Sequence, residues 1–122
     1  MKHLIFVFLG GGFGSILRYA ISLYFANPTQ VFPKATFLVN LIGSLLIGLF
    51  IGYQLKYPIS TNLSLLLITG FCGGFTTFST FSLESYNLFK AQEWSALSIY
   101  VSGSIVLGVL LAALGVFIAQ KI

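Results

Sequence analysis

The stretch Gly70–Glu84, GFCGGFTTFSTFSLE, contains the residues of this chain best suited to bind an ion. It lies inside an apolar segment long enough to cross a bilayer, yet its Gly-Gly pair and its Thr, Phe and Ser run favour a helix break. In hydrocarbon a break leaves backbone N–H and C=O groups without partners, which is tolerated only where they are buried in protein, line a cavity or hold an ion. The pattern therefore predicts a discontinuous membrane helix whose break faces something polar.

The two ends of this break would favour ions of opposite charge. The first half-helix should end near Gly73-Gly74 and present carbonyl oxygens, the negative end of the helix dipole, which suit a small dehydrated cation. The second half-helix should begin near Ser79, where N–H groups and the hydroxyls of Thr77 and Thr80 favour an anion. Ion binding is therefore the chemistry that this stretch predicts, and the sign of the ion stays open.

Phenylalanines recur every three residues along the same stretch, at positions 75, 78 and 81. A phenyl ring is negative on its face and positive at its edge, so edges turned toward a lumen can accept a partly dehydrated anion. Phenylalanines in a membrane protein also pack without any ion, and on spacing alone this is the more frequent outcome.

Residues for catalysis are scarce. His3 is the only histidine and lies at the N-terminus, and Cys72 has no histidine to activate it, so it is interpreted as a packing residue. The only acidic residues are Glu84 and Glu93. A carboxylate pair for hydrolysis or a cage for a hard metal cannot be built from them, and the chain is not expected to be an enzyme.

The composition is that of an integral membrane protein, because 57% of the 122 residues are hydrophobic and only 7% are charged. We expect one all-α transmembrane domain over residues 1–122, with spans at about 4–25, 35–55, 63–89 and 94–119 and the break near 73–79. The six Lys and Arg residues are scattered, so no nucleic-acid partner is expected.

Two residues of the first two spans each allow a structural and a functional interpretation. Arg18 is either a side chain that reaches the membrane interface or a positive charge at a vestibule. Asn40 either forms an interhelical hydrogen bond or donates to a pore. Position alone leaves both alternatives open for each residue.

Small residues at four-residue spacing predict close helix packing on the second and fourth spans. The second-span stripe is Ser44, Gly48 and Gly52. On the fourth span Tyr100, Ser104, Gly108 and Ala112 repeat every four residues, a face whose first half also offers two hydroxyls.

Positive charge is almost balanced between the two sides of the membrane. One side would carry Lys2, Lys56 and Lys121, and the other Lys34, Lys90 and, if it reaches the interface, Arg18. The orientation of a membrane protein is set by a bias in this count, and here there is almost none. We therefore expect the chain to insert in both orientations and to pair with an antiparallel copy of itself. Four short helices also enclose a pathway poorly, which again favours a dimer.

The central motif resembles the signature of the CrcB/Fluc family of fluoride channels. The resemblance rests on Gly70–Gly74 followed by Thr76–Ser82 and Glu84. GGGFGS with Arg18-Tyr19 in the first span and VNLIGS in the second resemble that family's other two blocks, in the same order. The likeness covers the whole chain, including its length and four-span layout.

The resemblance implies an antiparallel homodimer with two pores that pass fluoride passively and exclude chloride. Phe78 and Phe81 would turn their ring edges to the pores. The other implied pore residues are Asn40, Thr80, Tyr100 and Ser104. Some members continue this track of hydroxyls a turn beyond Ser104, where this chain has Gly108.

The resemblance also implies residues outside the pore itself. Arg18 and Glu84 would lie at a pore vestibule or exit. Gly73 and Thr76 would supply backbone carbonyls to a structural sodium ion (Na⁺) at the dimer centre, which is not transported.

The implied function is passive export of cytoplasmic fluoride across the cell membrane of a bacterium, which lowers fluoride toxicity. A small dual-topology, proton-coupled multidrug transporter is the leading alternative, but its chemistry needs a carboxylate in the first span, where this chain has only Arg18. A purely structural membrane oligomer would need only the small-residue stripes and would leave the predicted break unexplained.

Overall fold

The computed structural model describes residues 1–122 and contains helices but no strands. Four helical segments are long and apolar enough to cross a membrane: Lys2–Tyr24, Lys34–Lys56, Thr61–Lys90 and Trp94–Lys121. The prediction of an all-α chain with four membrane-length helices is confirmed. The last three segments extend beyond the predicted bounds to a terminal lysine, because its methylene stem can follow the helix while its ammonium reaches water.

The third segment differs from the other three because it is not one regular helix. The elements in chain order are α1 (Lys2–Tyr24), α2 (Lys34–Lys56), α3 (Thr61–Ser64), a π-helical stretch (Leu65–Cys72), α4 (Gly73–Phe75), α5 (Phe78–Lys90) and α6 (Trp94–Lys121). We call Thr61–Phe75 the first half of the third segment and Phe78–Lys90 the second half.

Helical structure is interrupted between the two halves, at Thr76 and Thr77, whose backbones are extended with ψ values of 158° and 119°. The interruption is shorter than the expected region 73–79. Gly73 itself is helical, with φ −64° and ψ −38°, and no glycine in the chain has a positive φ. The first half therefore ends at Phe75, one residue after the Gly73-Gly74 pair near which its end was expected, and the interruption lies inside the expected region.

Gly74 instead allows a close approach between the first half and α1. A Cβ added to Gly74 would lie 2.2 Å from the carbonyl oxygen of Gly11. On the facing helix, a Cβ added to Gly10 would lie 2.1 Å from the carbonyl oxygen of Leu66. No side chain fits at these distances, so the two backbones pack directly against each other.

The small-residue stripes of α2 and α6 pack against one another. A Cβ on Gly48 would lie 2.1 Å from the carbonyl oxygen of Ala112, and one on Gly108 would lie 3.4 Å from the Ser44 hydroxyl. The two stripes predicted separately therefore form one interface, which joins the second and fourth segments along their length.

The second half is covered on one side only. It packs against α6, while Phe78, Leu83 and Tyr86 are 79%, 59% and 57% exposed. Gly73, just before the interruption, is also exposed. One chain alone therefore leaves the outer side of the interruption open.

Candidate functional site

Asn40 of α2 binds the interrupted backbone directly. Its Nδ2 donates to the carbonyl oxygen of Thr77 at 3.1 Å, and the Thr77 N–H donates to its Oδ1 at 2.8 Å. One amide thus satisfies both polar groups of a residue that has left the helix. Of the two alternatives for Asn40, the interhelical bond is present, and the second N–H of the same amide remains for another acceptor.

Arg18 reaches the end of the first half. Its Nε donates to the carbonyl oxygen of Gly74 at 3.1 Å, and the Ser15 hydroxyl donates to the same oxygen at 3.3 Å. A guanidinium here lies at the negative end of the half-helix dipole and balances it. Arg18 therefore does more than reach toward the membrane interface, because it holds the interruption from the α1 side.

The carbonyls of Gly73 and Thr76, on either side of Gly74 and Phe75, keep free acceptor positions. In an unbroken helix the Gly73 carbonyl would accept from the Thr77 N–H, which donates to Asn40 instead. No hydrogen bond ends on the Thr76 carbonyl, while the Thr76 hydroxyl donates back to Cys72 at 2.8 Å. Two carbonyl oxygens close to the interruption are thus available to a cation.

A groove of about 570 Å³, which we call the lateral groove, opens beside the interruption. It contains six of the predicted site residues: Asn40, Gly73, Thr76, Phe78, Phe81 and Ser104. No charged residue lines it. The Ser104 hydroxyl is buried and has no hydrogen-bond partner, an unusual state for a buried polar atom that marks it as a free donor.

The phenylalanines of the central motif divide into two groups. Phe75 is 1% exposed and stacks on Phe71 at 5.5 Å, so it is a packing residue. Phe78 and Phe81 line the lateral groove with ring centroids 5.8 Å apart. Phe81 in turn lies 5.1 Å from the ring of Tyr100, so three aromatic rings follow one another from the groove inward.

A second cavity of about 530 Å³, which we call the vestibule, lies on the other side of Thr77. Its polar and charged lining includes Ser15, Arg18, Gln30, Lys34, Thr36, Thr77, Thr80 and Glu84. Thr77 lines both the vestibule and the lateral groove, so the interrupted backbone, which Asn40 binds, borders both cavities. Three further predicted site residues, Arg18, Thr80 and Glu84, therefore meet here.

Glu84 is held by two hydroxyl groups. The Thr36 hydroxyl donates to Oε1 at 2.9 Å and the Tyr100 hydroxyl donates to Oε2 at 2.6 Å. Tyr100 is fully buried and lines neither cavity, so within one chain it positions Glu84. Thr36 was not among the predicted site residues, although its place one helical turn before Asn40 is a signal that could have identified it.

Comparison with known proteins identifies a family and several relatives of this chain. The family model "CrcB-like protein, Camphor Resistance (CrcB)" matches residues 5–116. A protein of Phocaeicola vulgatus named "Fluoride-specific ion channel FluC" is 46% identical, over 98% of this chain and 100% of the relative. A protein of Flavobacterium psychrophilum named "Fluoride-specific ion channel FluC" is 44% identical, over 100% of both chains. A protein of Bacillus cereus named "Fluoride-specific ion channel FluC 2" is 47% identical, over 94% of this chain and 95% of the relative.

These similarities extend over nearly the whole chain and include its four membrane-length helices. The relatives are bacterial and are named as channels, which confirms the predictions of a multi-pass protein of the bacterial plasma membrane and of a chain that is not an enzyme. The match over residues 5–116 and the near-full-length relatives show that this chain belongs to the CrcB-like family.

Proposed function

We propose that this chain is a passive, fluoride-selective channel that works as an antiparallel homodimer. The observation that carries the proposal is the 46% identity, over the full length of the relative, to a protein named as a fluoride-specific ion channel. The lateral groove supports it independently, because hydrogen-bond donors and phenyl rings line this groove without any fixed charge.

Fluoride is small and holds its water tightly, so a selective pore must replace several water contacts at once. The unpartnered Ser104 hydroxyl and the second N–H of Asn40 are donors of the required kind. A lysine or arginine inside the groove would bind the anion too strongly to release it, and none is present. Conduction then follows from several moderate contacts.

Phe78 and Phe81 supply the remaining contacts in this proposal. Their positively polarised ring edges would face the anion, and Tyr100 would continue the aromatic series beyond them. Chloride is larger and is less well matched to closely spaced ring edges and hydroxyls, which accounts for its exclusion.

An antiparallel partner would cover the open side of the interruption. The exposed Phe78 ring and Gly73 backbone lie on this side, and the balanced lysine and arginine count favours insertion in both orientations. The lateral groove of each chain would then become a pore enclosed by both copies.

A structural sodium ion fits the oxygen atoms at the interruption. Carbonyl oxygens suit a hard cation, and those of Gly73 and Thr76 have acceptor positions free, as described above. No cluster of three His, Cys, Asp or Glu residues that could hold a metal exists in the chain, so a cation site would have to use carbonyls. Two carbonyls from each copy would meet at the dimer axis, where sodium would balance the negative ends of both half-helices.

This sodium site predicts that the dimer depends on sodium. Thorough exchange of sodium for a large organic cation should reduce dimer assembly, measured by size-exclusion chromatography with light scattering. An unchanged dimer and unchanged fluoride flux after this exchange would contradict the site.

Fluoride export follows from the chemistry of a weak acid. In an acidic environment neutral hydrogen fluoride crosses the membrane unaided and ionises in the less acidic cytoplasm. A passive pathway for the anion then lets fluoride leave down its electrochemical gradient, without ATP or a coupling ion.

Purified protein in liposomes tests the proposal. Vesicles loaded with potassium fluoride or potassium chloride are diluted, valinomycin balances the charge, and anion efflux is followed with ion-selective electrodes. Fluoride efflux far above that of empty vesicles, with little chloride efflux, is expected. No fluoride release above empty vesicles would overturn the channel. Proton-driven uptake of cationic dyes would favour a transporter, whose chemistry needs a carboxylate in the first span, where this chain has Arg18 and no acidic residue.

A further inference from the structure

A third cavity of about 430 Å³, which we call the outer cavity, borders the vestibule. Its polar lining includes Asn27, Gln30, Glu84, Asn87 and Glu93. The vestibule and the outer cavity share three lining residues, Gln30, Pro33 and Glu84. These three residues therefore form the partition between the two spaces.

Gln30 is the member of this partition that can move. Pro33 is a rigid ring, and both carboxylate oxygens of Glu84 accept hydrogen bonds from neighbouring helices. The Gln30 side chain has one hydrogen bond, from its Nε2 to the carbonyl oxygen of Phe32 at 2.5 Å, two residues away in the same connection. Swinging the amide away breaks only this hydrogen bond.

The backbone that carries Gln30 is fixed. The Asn27 side chain accepts from both the N–H and the hydroxyl of Thr29, at 3.0 and 2.8 Å, and the Gln30 N–H donates to the Asn27 carbonyl at 3.1 Å. Asn27, Pro28 and Thr29 are exposed, whereas Gln30 is half-buried. The turn therefore directs this one side chain inward, and the freedom that remains belongs to the side chain.

The connection is also coupled to the carboxylate. The Phe32 ring packs edge-on against Tyr100, with centroids 5.7 Å apart and an interplanar angle of 82°. Tyr100 donates to Glu84, so the residue that accepts the Gln30 amide also packs against the residue that holds the carboxylate. The partition is one connected unit in which Glu84 has two side-chain hydrogen bonds to other helices and Gln30 has one within its own connection.

Negative charge at the partition would repel an anion that crosses it. The vestibule contains Arg18 and Lys34, whereas the outer cavity contains Glu93 and no lysine or arginine. An anion that crosses the partition must pass Glu84. A neutral amide donor beside this carboxylate would offset part of the repulsion. Gln30 is the one neutral amide among the three partition residues.

We propose that Gln30 is the gate between the vestibule and the outer cavity: its side chain closes the passage at rest, and its amide N–H donates to the anion as it crosses. This inference rests on the proposed channel function and adds to it a residue that lines both the vestibule and the outer cavity.

Two substitutions separate the parts of this role. Gln30→Leu keeps a side chain of similar size but cannot donate, so fluoride efflux from liposomes should fall about tenfold, the effect on a barrier of one lost hydrogen bond to an ion. Gln30→Ala removes the obstruction together with the donor, so efflux should fall clearly less than in Gln30→Leu. Gln54→Leu and Gln54→Ala are matched controls, because Gln54 bonds to Ser64 and lines neither cavity.

A cysteine variant keeps the test independent of folding defects. Gln30→Cys is reconstituted, and efflux from the same sample is measured before and after a negatively charged methanethiosulfonate reagent, applied to both sides of the membrane. A loss of efflux that a reductant reverses is expected. The native Cys72 is 2% exposed but lines the lateral groove, so the unmodified chain treated with the same reagent is its control. Neither the unmodified chain nor Gln54→Cys should lose efflux.

The outcomes distinguish the two levels of inference. If the unmodified chain passes no fluoride, the proposed function fails. If it conducts while Gln30→Leu stays within about twofold of it, or Gln30→Ala falls as far as Gln30→Leu, or modified Gln30→Cys conducts unchanged, the gate is wrong and the channel stands.

Discussion

The two halves of the third segment are held in different ways. The first half packs on α1 through bare backbone, and a Cβ on Gly14 would lie 2.3 Å from the carbonyl oxygen of Phe71. The second half is held largely by polar side chains, such as the Glu84 carboxylate that binds Thr36 and Tyr100. Close packing makes the first half a rigid scaffold, and the sparse packing of the second half leaves its phenylalanines and hydroxyls free for an ion or a partner.

The junction between the halves needs side chains from both neighbouring helices. Arg18 and Ser15 of α1 bind the end of the first half, and Asn40 of α2 binds the start of the second. An interrupted helix in a membrane thus depends on its neighbours for the hydrogen bonds that it has given up.

Breaking the scaffold should have the largest effect. Gly74→Ala puts a methyl group 2.2 Å from the Gly11 carbonyl oxygen, where the backbone cannot yield cheaply. We expect little or no folded protein, measured as the monodisperse yield in size-exclusion chromatography. Gly12→Ala is the control, since an added Cβ there meets nothing within 4 Å. Normal yield and activity of Gly74→Ala would show that the two halves do not differ in this way.

Changes to the two rings of the second half that line the lateral groove should leave the fold intact and remove the function. Phe78→Ile or Phe81→Ile loses a polarised ring edge while keeping apolar bulk, so fluoride efflux should fall at least about tenfold. Phe117→Ile, at a 58% exposed phenylalanine of α6, is the control. Unchanged efflux in both motif variants would exclude the rings from the pathway.

Loosening the junction should have an intermediate effect. Asn40→Ala removes both partners of the Thr77 backbone, at a cost of about 1–3 kcal/mol for each polar group left unsatisfied. Both the midpoint of thermal unfolding in detergent and the fluoride efflux should fall. Asn62→Ala, in α3 outside both the groove and the vestibule, serves for comparison, and equal stability of the two variants would mean that the amide does not support the interruption.

The smallest effect is expected at Gly73, the neighbour of Gly74. A Cβ there meets nothing within 4 Å, so one chain should fold normally with Gly73→Ala. In the proposed dimer the methyl group would crowd the sodium site, and the sodium concentration that supports half-maximal dimer assembly should rise a few-fold. A loss of folding as severe as that of Gly74→Ala would place Gly73 in the scaffold instead.

Much of this architecture could be predicted from local sequence. Length and hydropathy predicted the four membrane-length helices, and four-residue spacing predicted the stripes that join α2 to α6. The packing role of Gly74 could not be predicted, because a glycine that loosens a backbone cannot be told from a glycine that admits a neighbouring helix by sequence alone. The distance from Gly74 to Gly11 distinguishes them, and this distance exists only after the segments have packed.

The sequence by itself determined which segments are apolar enough to cross a membrane and which residue types lie at the interruption, since both follow from composition and short-range spacing. Only the tertiary structure decided how those residues are used: Asn40 clamps Thr77, Arg18 binds the Gly74 carbonyl, Phe75 packs while Phe78 stays exposed, and Gln30 lies between two cavities. The physical reason is that hydrogen bonds and cavities join residues far apart in the chain, and helical periodicity does not specify which helix lies beside which.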